Sequence, residues 1–322
     1  MWKSLIIILI GLVLFVFILL RVNLPDTWSI LQHTKIGFLS FTLLSLIIMV
    51  LFKAIRWKQL LKMQGLQYSL WNCFLVYMSS LYWGNVIPSR IGDFIKILYL
   101  KEDLNVAWGK GASNVVVDRI FDLYALLIFG GLGILFYPIP HDQQFKSLVW
   151  VFFGLLILGS AVFLNKKMGK LILKNIFRRM MKNRFKSKTD EIFEEFHQGL
   201  RSFYRRSIFF SVFWTICSYY VFFKGCQFMA LALQLHINLF YLAFCLSVVN
   251  IVSLLTFLGF GTREGTLILL FGLIALSKEQ ALAYSLLLFV MGTLGVTLVG
   301  LLCFLIKPIR WKSKMAMLTD RS

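Results

Sequence analysis

The 322-residue chain is 59% hydrophobic and only 15% charged, and its mean hydropathy is +0.79. Soluble globular domains are about 45–50% apolar and about 25% charged, so this composition excludes the soluble classes and predicts an all-α integral membrane protein. The formal net charge is +20. In a membrane chain we attribute that charge to cytoplasmic loops that face anionic headgroups, and we expect no nucleic-acid partner.

About six apolar segments are long enough to cross a bilayer as helices, which requires roughly 17–25 residues each. They are residues 4–20, 36–52, 112–136, 148–164, 208–233 and 281–306. The first segment follows Lys3 as in a signal peptide, but no small-residue cleavage site follows it, so we expect a retained helix. Two further apolar segments, 71–100 and 240–276, are each interrupted near the middle.

The first interruption combines helix-breaking and charged residues. They are Pro88, Ser89, Arg90, Gly92, Asp93 and, shortly after, Lys96. Ser89 is the predicted N-cap of a short second helix, which would place Arg90 and Asp93 in its first turn. Charged side chains at membrane depth are costly, so we treat them as candidates for function.

The second interruption has the same character. It contains Gly259, Gly261, Thr262, Arg263, Glu264 and Gly265. The glycines permit an irregular backbone, and Thr262 is the predicted cap of the helix that follows. Arg263 and Glu264 are adjacent and do not face each other on a helix, so we expect each to find its partner elsewhere.

Each interruption would point a helix N-terminus into the membrane beside an Arg. Free N–H groups and the positive end of the helix dipole attract anions, and the planar guanidinium suits phosphate. The alternative is that Arg90 with Asp93, and Arg263 with Glu264, are internal ion pairs that only neutralise each other.

The distribution of Lys and Arg predicts the topology. Residues 53–62, 165–207 and 307–322 are rich in both, whereas 21–35 and 137–146 carry few charges. The first three segments, and both termini, are therefore predicted to be cytoplasmic, and the two sparsely charged segments are predicted to be loops on the outer side.

These assignments agree only if each interrupted segment returns to the side it entered. The sequence therefore predicts two re-entrant hairpins in an inverted-topology repeat, with halves 36–136 and 208–306 within a single transmembrane domain, 1–322. The alternative is that both interruptions are ordinary kinks.

A third polar cluster lies at the start of the span that follows the first interruption. Asn114, Asp118 and Asp122 are four residues apart and share one helix face, and Arg119 is within reach of Asp122. We expect this stripe to face protein or water, either as part of a site or as an interhelical clamp. His and Cys are scattered at no metal-binding spacing, so no metal or cofactor is predicted.

Three motifs together resemble the lysylphosphatidylglycerol synthase transmembrane region family, over about residues 56–306. They are Pro88-x-x-x-Gly92-Asp93 with Lys96, Asp118-Arg119-x-x-Asp122, and Gly259-x-Gly261-x-Arg263-Glu264-Gly265. The chain departs from the usual pattern at Asp93 and Asp118, where Glu is common, and at Phe260, where a Pro-Gly-Gly type of turn is more usual. The segment after 306 is too short for an aminoacyl-transferase domain, so we expect a stand-alone member that is not an enzyme.

The resemblance implies translocation of an anionic phospholipid, aminoacyl-phospholipid or polyprenyl-phosphate lipid across the cytoplasmic membrane. The side chains expected to bind the lipid phosphate or headgroup are Arg90, Arg119, Arg263, Lys96, Ser89 and Thr262. The expected counter-charges or proton carriers are Asp93, Asp118, Asp122 and Glu264. Two alternatives stay open: a membrane-embedded glycosyltransferase with a lipid-phosphate donor, and an accessory subunit of a partner synthase. Asp26 is the only carboxylate that 21–35 offers, which argues against the first.

Overall fold

The structure is a computed structural model, and it describes residues 2–87, 92, 94–136, 147, 154, 186–203, 208–253 and 256–309. Within them the regular structure is helical. The α-helices are α1 (Trp2–Leu19), α2 (Leu24–Gln32), α3 (Ile36–Met63), α4 (Leu70–Val86), α5 (Ile95–Leu104), α6 (Trp108–Phe136), α7 (Lys186–Arg201), α8 (Ile208–Ala232), α9 (Leu239–Val252), α10 (Thr262–Gly272), α11 (Lys278–Leu287) and α12 (Val296–Ile306). A 3-10 helix, Phe257–Gly259, precedes α10, and a π-helical segment, Leu288–Gly295, joins α11 to α12.

Four described helices are long and apolar enough to cross a membrane. They are α3, α6, α8 and the continuous stretch Lys278–Ile306, which comprises α11, the π-helical segment and α12. Gly11–Leu19 and Leu24–Gln32 make a fifth span only if the 87° bend between them is counted within one span. The predicted all-helical membrane protein is thus confirmed. The predicted span 148–164 lies outside the described residues except at Gly154.

Helix α2 lies in the segment 21–35, which we expected to be a loop. Pro25 falls in its first turn, where a missing N–H costs nothing. Asp26 lies in the same turn and accepts a hydrogen bond from Asn23 Nδ2 at 2.6 Å. The helix packs against α11, where the backbone N–H of Asn23 donates to Glu279 Oε1 at 3.3 Å. The low charge of 21–35 therefore gave no indication of this short helix.

Both interrupted segments form two short helices that pack on each other, α4 with α5 and α9 with α10. Helix α5 begins at Ile95, with Phe94 at its N-cap position, and the predicted cap Ser89 lies outside the described residues. The cap of α10 is Gly261, whose φ is +76°, and Thr262 is the first helical residue. Both breaks overlap the interruptions that the sequence predicted, and the cap predicted for α10 is wrong.

The helices on either side of α7 follow the same order. A long helix (α3 or α8) is followed by two short ones and by another long helix (α6, or Lys278–Ile306). Ser69 and Asn238 hold the N-caps of α4 and α9, and each side chain accepts a backbone N–H. Helix α3 packs against α8, α4 packs against α12, and α9 packs against α6. Each short helix after a long one is therefore held mainly by the last long helix of the other group.

Glycine permits two of these close contacts. A Cβ at Gly133 in α6 would lie 2.4 Å from the carbonyl oxygen of Phe240 in α9, and one at Gly300 in α12 would lie 2.6 Å from that of Met78 in α4. The backbones meet at these points because no side chain intervenes. This packing fixes α3, α5 and α6, which carry the polar residues described next.

Candidate functional site

Buried charged side chains from three helices meet between α3, α5 and α6. Helix α3 contributes Lys53 and Arg56, α5 contributes Lys96, and α6 contributes Asp118 and Asp122. The two carboxylates share a face because they are one helical turn apart. We call this group, together with Arg119 at its edge, the α3–α6 network.

The carboxylates bridge the cations across the helices. Arg56 Nη2 lies 2.6 Å from Asp118 Oδ1 and 3.0 Å from Asp122 Oδ1. Lys96 Nζ lies 2.9 Å from Asp118 Oδ2, and Lys53 Nζ lies 3.1 Å from Asp122 Oδ1. The side chains of Arg56, Lys96 and Asp118 are fully buried. Desolvation makes such charges costly unless they are paired, so the network must be held together by its own contacts.

Hydroxyl groups and aromatic rings complete the surroundings. Tyr77 Oη donates to Asp118 Oδ2 at 3.2 Å, and Arg56 Nη1 donates to Thr215 Oγ1 at 3.2 Å. The Lys96 ammonium lies 3.4 Å from the centroid of the Tyr77 ring. Cation–π contacts of this kind compensate part of the lost hydration of a buried ammonium.

Among the described residues, the α3–α6 network holds four cations and two carboxylates. Arg119 is the partly accessible cation: its side chain is 37% exposed and its Nη1 lies 3.1 Å from Asp122 Oδ2, as the spacing predicted. The network thus brings charges of both signs from three helices to one buried place, and charged groups at membrane depth are candidates for a site that receives a charged headgroup.

Contacts outside the membrane spans hold the C-terminal end of α5 in place. Tyr68, in the connection between α3 and α4, donates a hydrogen bond to Asp103, and Lys307 Nζ lies 2.9 Å from the same carboxylate. Burial and the hydrogen bond to Asp103 raise the pKa of the Tyr68 hydroxyl, so it stays a donor. These contacts fix the last turn of the helix that carries Lys96.

The second interruption holds a separate cluster around Glu264. Its Oε2 accepts the backbone N–H of Gly261 at 2.8 Å, and its Oε1 accepts from Arg263 Nε and from Ser285 Oγ, both at 3.1 Å. The expectation that Arg263 and Glu264 do not pair is wrong. Glu264 turns back to the start of α10, as third-position carboxylates do, and the flexible Arg263 side chain follows it.

Aromatic side chains and helix α1 enclose this cluster. The Arg263 guanidinium lies 5.0 Å from the centroid of Phe289, which belongs to the π-helical segment. A Cβ at Gly261 would lie 2.7 Å from the carbonyl oxygen of Gly11 in α1. Arg263 is 4% exposed and Glu264 is fully buried. The Arg263–Glu264 pair is thus neutral overall and buried away from solvent.

The structure brings some predicted site residues together and leaves others apart. Lys96, Asp118, Arg119 and Asp122 join in the α3–α6 network. The hydrogen bonds described for Thr262, Arg263 and Glu264 stay within residues 256–285, and none of those described reaches the network. Four predicted residues lie outside the described part of the chain: Pro88, Ser89, Arg90 and Asp93.

The predicted glycines mark close approaches or open positions. A Cβ at Gly92 would lie 1.9 Å from the backbone nitrogen of Gly84, so the first interruption presses against α4. Gly259 has a φ of +76°. The nearest atom to a Cβ at Gly265 is Ile18 Cδ1, at 3.6 Å. Gly92, Gly259 and the cap residue Gly261 therefore need glycine for space or conformation, and Gly265 does not.

Asn114 acts as an interhelical clamp, which is one of the two roles expected for the polar stripe of Asn114, Asp118 and Asp122. Its Oδ1 accepts a hydrogen bond from Trp57 Nε1 at 2.7 Å, and its Nδ2 donates to Gln64 Oε1 at 3.0 Å. Asn114, Asp118 and Asp122 are all buried against protein, as expected of that face. The clamp and the charged network thus occupy successive turns of α6.

Sequence reasoning missed Lys53 and Arg56. We assigned them to a cytoplasmic loop because basic residues cluster in 53–62, but α3 continues to Met63 and buries both. A signal was present: 53–62 contains no Gly or Pro, and Ala54, Trp57 and Leu61 continue a helical apolar face.

Metal chemistry finds no support in the described residues, which hold no group of three His, Cys, Asp or Glu side chains suited to an ion. The buried Cys73, Cys226, Cys245 and Cys303 are free thiols. The α3–α6 network remains the candidate site among the described residues.

Comparison with known proteins places these residues in a wider group. Residues 4–300 match the sequence pattern described as the lysylphosphatidylglycerol synthase TM region. The UPF0104 membrane protein MJ1595 of Methanocaldococcus jannaschii is 23% identical, over 94% of this chain and 95% of that protein. The UPF0104 membrane protein PH1989 of Pyrococcus horikoshii is 24% identical, over 62% of this chain and 63% of that protein. No solved structure matches the chain significantly.

Proposed function

We propose that this chain, which belongs to the lysylphosphatidylglycerol synthase transmembrane region family, moves the headgroup of an anionic lipid across the cytoplasmic membrane. The observation that carries the proposal is the α3–α6 network, in which the buried cations Arg56 and Lys96 meet at Asp118 among apolar spans. Ionisable groups at membrane depth commonly mark substrate paths. Arg56 and Lys96 come from different helices to the same carboxylate, Asp118, where a phosphate can take its place.

In this proposal the lipid phosphate takes the place of a carboxylate in the network. Arg56 offers a planar fork for two phosphate oxygens, and Lys96 offers a compact charge from α5. Asp118 and Asp122 hold these cations when the site is empty and release them when the phosphate arrives. Arg119, at the accessible edge, makes the first contact with the headgroup. The acyl chains stay in the lipid or in apolar grooves of the protein.

The arrangement of helices supports a further part of the proposal, an inverted-topology repeat of halves 36–136 and 208–306. The helix order is the same in both halves, Ser69 and Asn238 occupy the same place in it, and α4 and α9 pack reciprocally on the other half. Halves related in this way can rock against each other around a central site. With both termini on the cytoplasmic side, the two interruptions would enter from opposite faces.

Lipid translocation by the purified protein tests the proposal. Liposomes contain phosphatidylglycerol with a fluorescent acyl label, and a membrane-impermeant reductant bleaches the label on the outer leaflet. We expect the wild-type protein to expose more than half of the label, and Arg56→Gln to abolish this gain. Lys58→Gln is the matched control, because Lys58 is exposed on the same helix, and it should translocate normally.

A charge-balanced pair of changes distinguishes binding from neutralisation. If Arg56 only neutralises Asp118, the double variant Arg56→Gln/Asp118→Asn removes both members of that pair and restores translocation. We expect the double variant to stay inactive while its thermal stability recovers relative to either single change. Restored translocation would contradict the proposal, as would wild-type rates in Arg56→Gln.

A further inference from the structure

A large apolar cavity lies beside the α3–α6 network, between α6, α8 and the end of α7. Its volume is about 720 Å³. Helix α6 contributes Val117, Phe121 and Ile128 to its walls, and α8 contributes Val212 and Ile216. The volume is within the range of about 300–1,000 Å³ that is typical of small-molecule sites.

The cavity is elongated along the membrane-spanning helices. Its α6 wall extends from Val117 to Phe129, a rise of about 18 Å at about 1.5 Å per residue. The side chains of the lining that carry polar atoms are Tyr124, Thr215 and, in α7, His197 and the exposed Arg201. An apolar slot that runs along two spans and has a cation at one end matches a hydrocarbon chain attached to an anionic group.

Single side chains separate the cavity from the α3–α6 network. Thr215 lines the cavity, and its hydroxyl accepts the hydrogen bond from Arg56 Nη1 at 3.2 Å. Phe121 lines it too, and the Arg56 guanidinium lies 5.8 Å from the centroid of that ring. A chain in the cavity therefore lies against the residues that contact the central cation of the network.

Helix α7 closes the cavity at the end where Arg201 lies. Glu195 Oε2 of α7 accepts the backbone N–H of Gly109, in the first turn of α6, at 2.9 Å. A Cβ at Gly199 would lie 2.1 Å from Ser113 Oγ, so α7 lies directly on α6. This firm attachment keeps Arg201 beside the cavity.

We infer that the cavity between α6, α7 and α8 binds an acyl chain of the phospholipid whose headgroup enters the α3–α6 network. The inference rests on the proposed function for the identity of that headgroup. The walls are apolar side chains of two spans, Arg201 complements an anionic lipid, and the volume accepts the chains of a phospholipid. The much longer chain of a polyprenyl carrier exceeds this volume, so the occupant in this inference is a phospholipid.

A photoreactive lipid tests the inference directly. The full chain is placed in nanodiscs of phosphatidylcholine containing phosphatidylglycerol with a diazirine at the end of one acyl chain, illuminated, digested and analysed by mass spectrometry. We expect adducts on the cavity walls of α6 and α8. Ile216→Trp and Val212→Trp fill the cavity from partly exposed positions, and each should reduce these adducts several-fold.

A control variant and two competitors complete the experiment. Leu298→Trp adds the same ring to an exposed position on α12, away from the cavity, and should leave the adducts unchanged. Unlabelled phosphatidylglycerol should compete and polyprenyl phosphate should not. Adducts that persist in both cavity variants, adducts that lie elsewhere, or competition by polyprenyl phosphate would each overturn the inference.

The same variants separate this inference from the proposed function. If the adducts map to the cavity and decrease in the Trp variants, but liposomes show no translocation, the cavity assignment stands and the proposed function fails. If translocation is measured and both Trp variants translocate as fast as wild type without cavity adducts, the function stands and the cavity assignment fails.

Discussion

The two halves of the molecule bury arginine and carboxylate side chains in different ways. In the first half, Arg56 is shared between Asp118 and Asp122, and the contacts join helices that are distant in sequence. In the second half, Arg263 pairs with its neighbour Glu264 within one helix. Both arginines are buried, so burial alone does not distinguish them. What differs is whether the ion-pair partner lies on the same helix or on another one.

Glu264 has little capacity left for another partner. One of its oxygens accepts the Gly261 N–H and the other accepts from Arg263 and Ser285. The first-half carboxylates instead hold cations from separate helices, so a small helix movement changes their pairing. An ion pair within one helix fixes the backbone at a break, whereas an ion network between helices can respond to a ligand.

Removing the central carboxylate should have the largest effect on this comparison. Asp118→Asn keeps the shape of the side chain but leaves Arg56 and Lys96 buried without its charge. We expect a loss of about 3–5 kcal/mol in the free energy of unfolding and no translocation. Thermal unfolding in detergent, beside translocation in liposomes, measures both.

Asp26→Asn is the control for that change, since Asp26 is an exposed carboxylate in the first turn of α2. It should alter stability by less than about 1 kcal/mol, the usual range for a charge near a helix terminus. An Asp118→Asn variant as stable as this control would show that the network does not hold the first half together.

How far the sequence predicted this arrangement depends on the range of each interaction. The two interruptions and the Arg119–Asp122 contact depend on neighbouring residues, and both were readable from spacing. The burial of Lys53 could not be predicted from spacing, because basic residues are assigned to loops by their charge unless their partner is known. Its partner is Asp122, on another helix. A contact that depends on helix packing leaves no local pattern in the sequence.

The Arg263–Glu264 pair shows the opposite error. Spacing on a regular helix separates adjacent side chains, but both residues lie in the first turn after Gly261, where Glu264 turns back as a cap. Helix α1 was likewise expected only as a span, although it covers this break. Regular-helix rules fail at helix ends because the first turn has free N–H groups that reorient side chains.

The backbone at the second break provides a prediction of intermediate size. Gly261→Ala introduces a Cβ at a φ of +76° and only 2.7 Å from the Gly11 carbonyl oxygen. We expect a loss of about 1–3 kcal/mol and displacement of α1, measured by thermal unfolding and by thiol labelling of a Leu14→Cys reporter. Gly272→Ala is the control, because no atom lies within 4 Å of its Cβ position. Equal stability of the two variants would show that α1 does not close this site.

The smallest expected effect gives the sharpest comparison. Each of two changes removes a hydroxyl group that accepts a hydrogen bond from one of the two arginines. Thr215→Val removes the acceptor of Arg56 Nη1, and Ser285→Ala removes the acceptor of Arg263 Nε at 2.9 Å. Each change should cost about 1–2 kcal/mol in unfolding free energy, typical of a lost hydrogen bond to a charged group. Valine keeps the shape of threonine, so the adjacent cavity stays the same size. If the first-half arginine exchanges partners during transport and the second-half arginine does not, only Thr215→Val should lower the translocation rate at matched stability. Equal loss of translocation in both variants would place the two arginines on one substrate path and remove the distinction drawn between the halves.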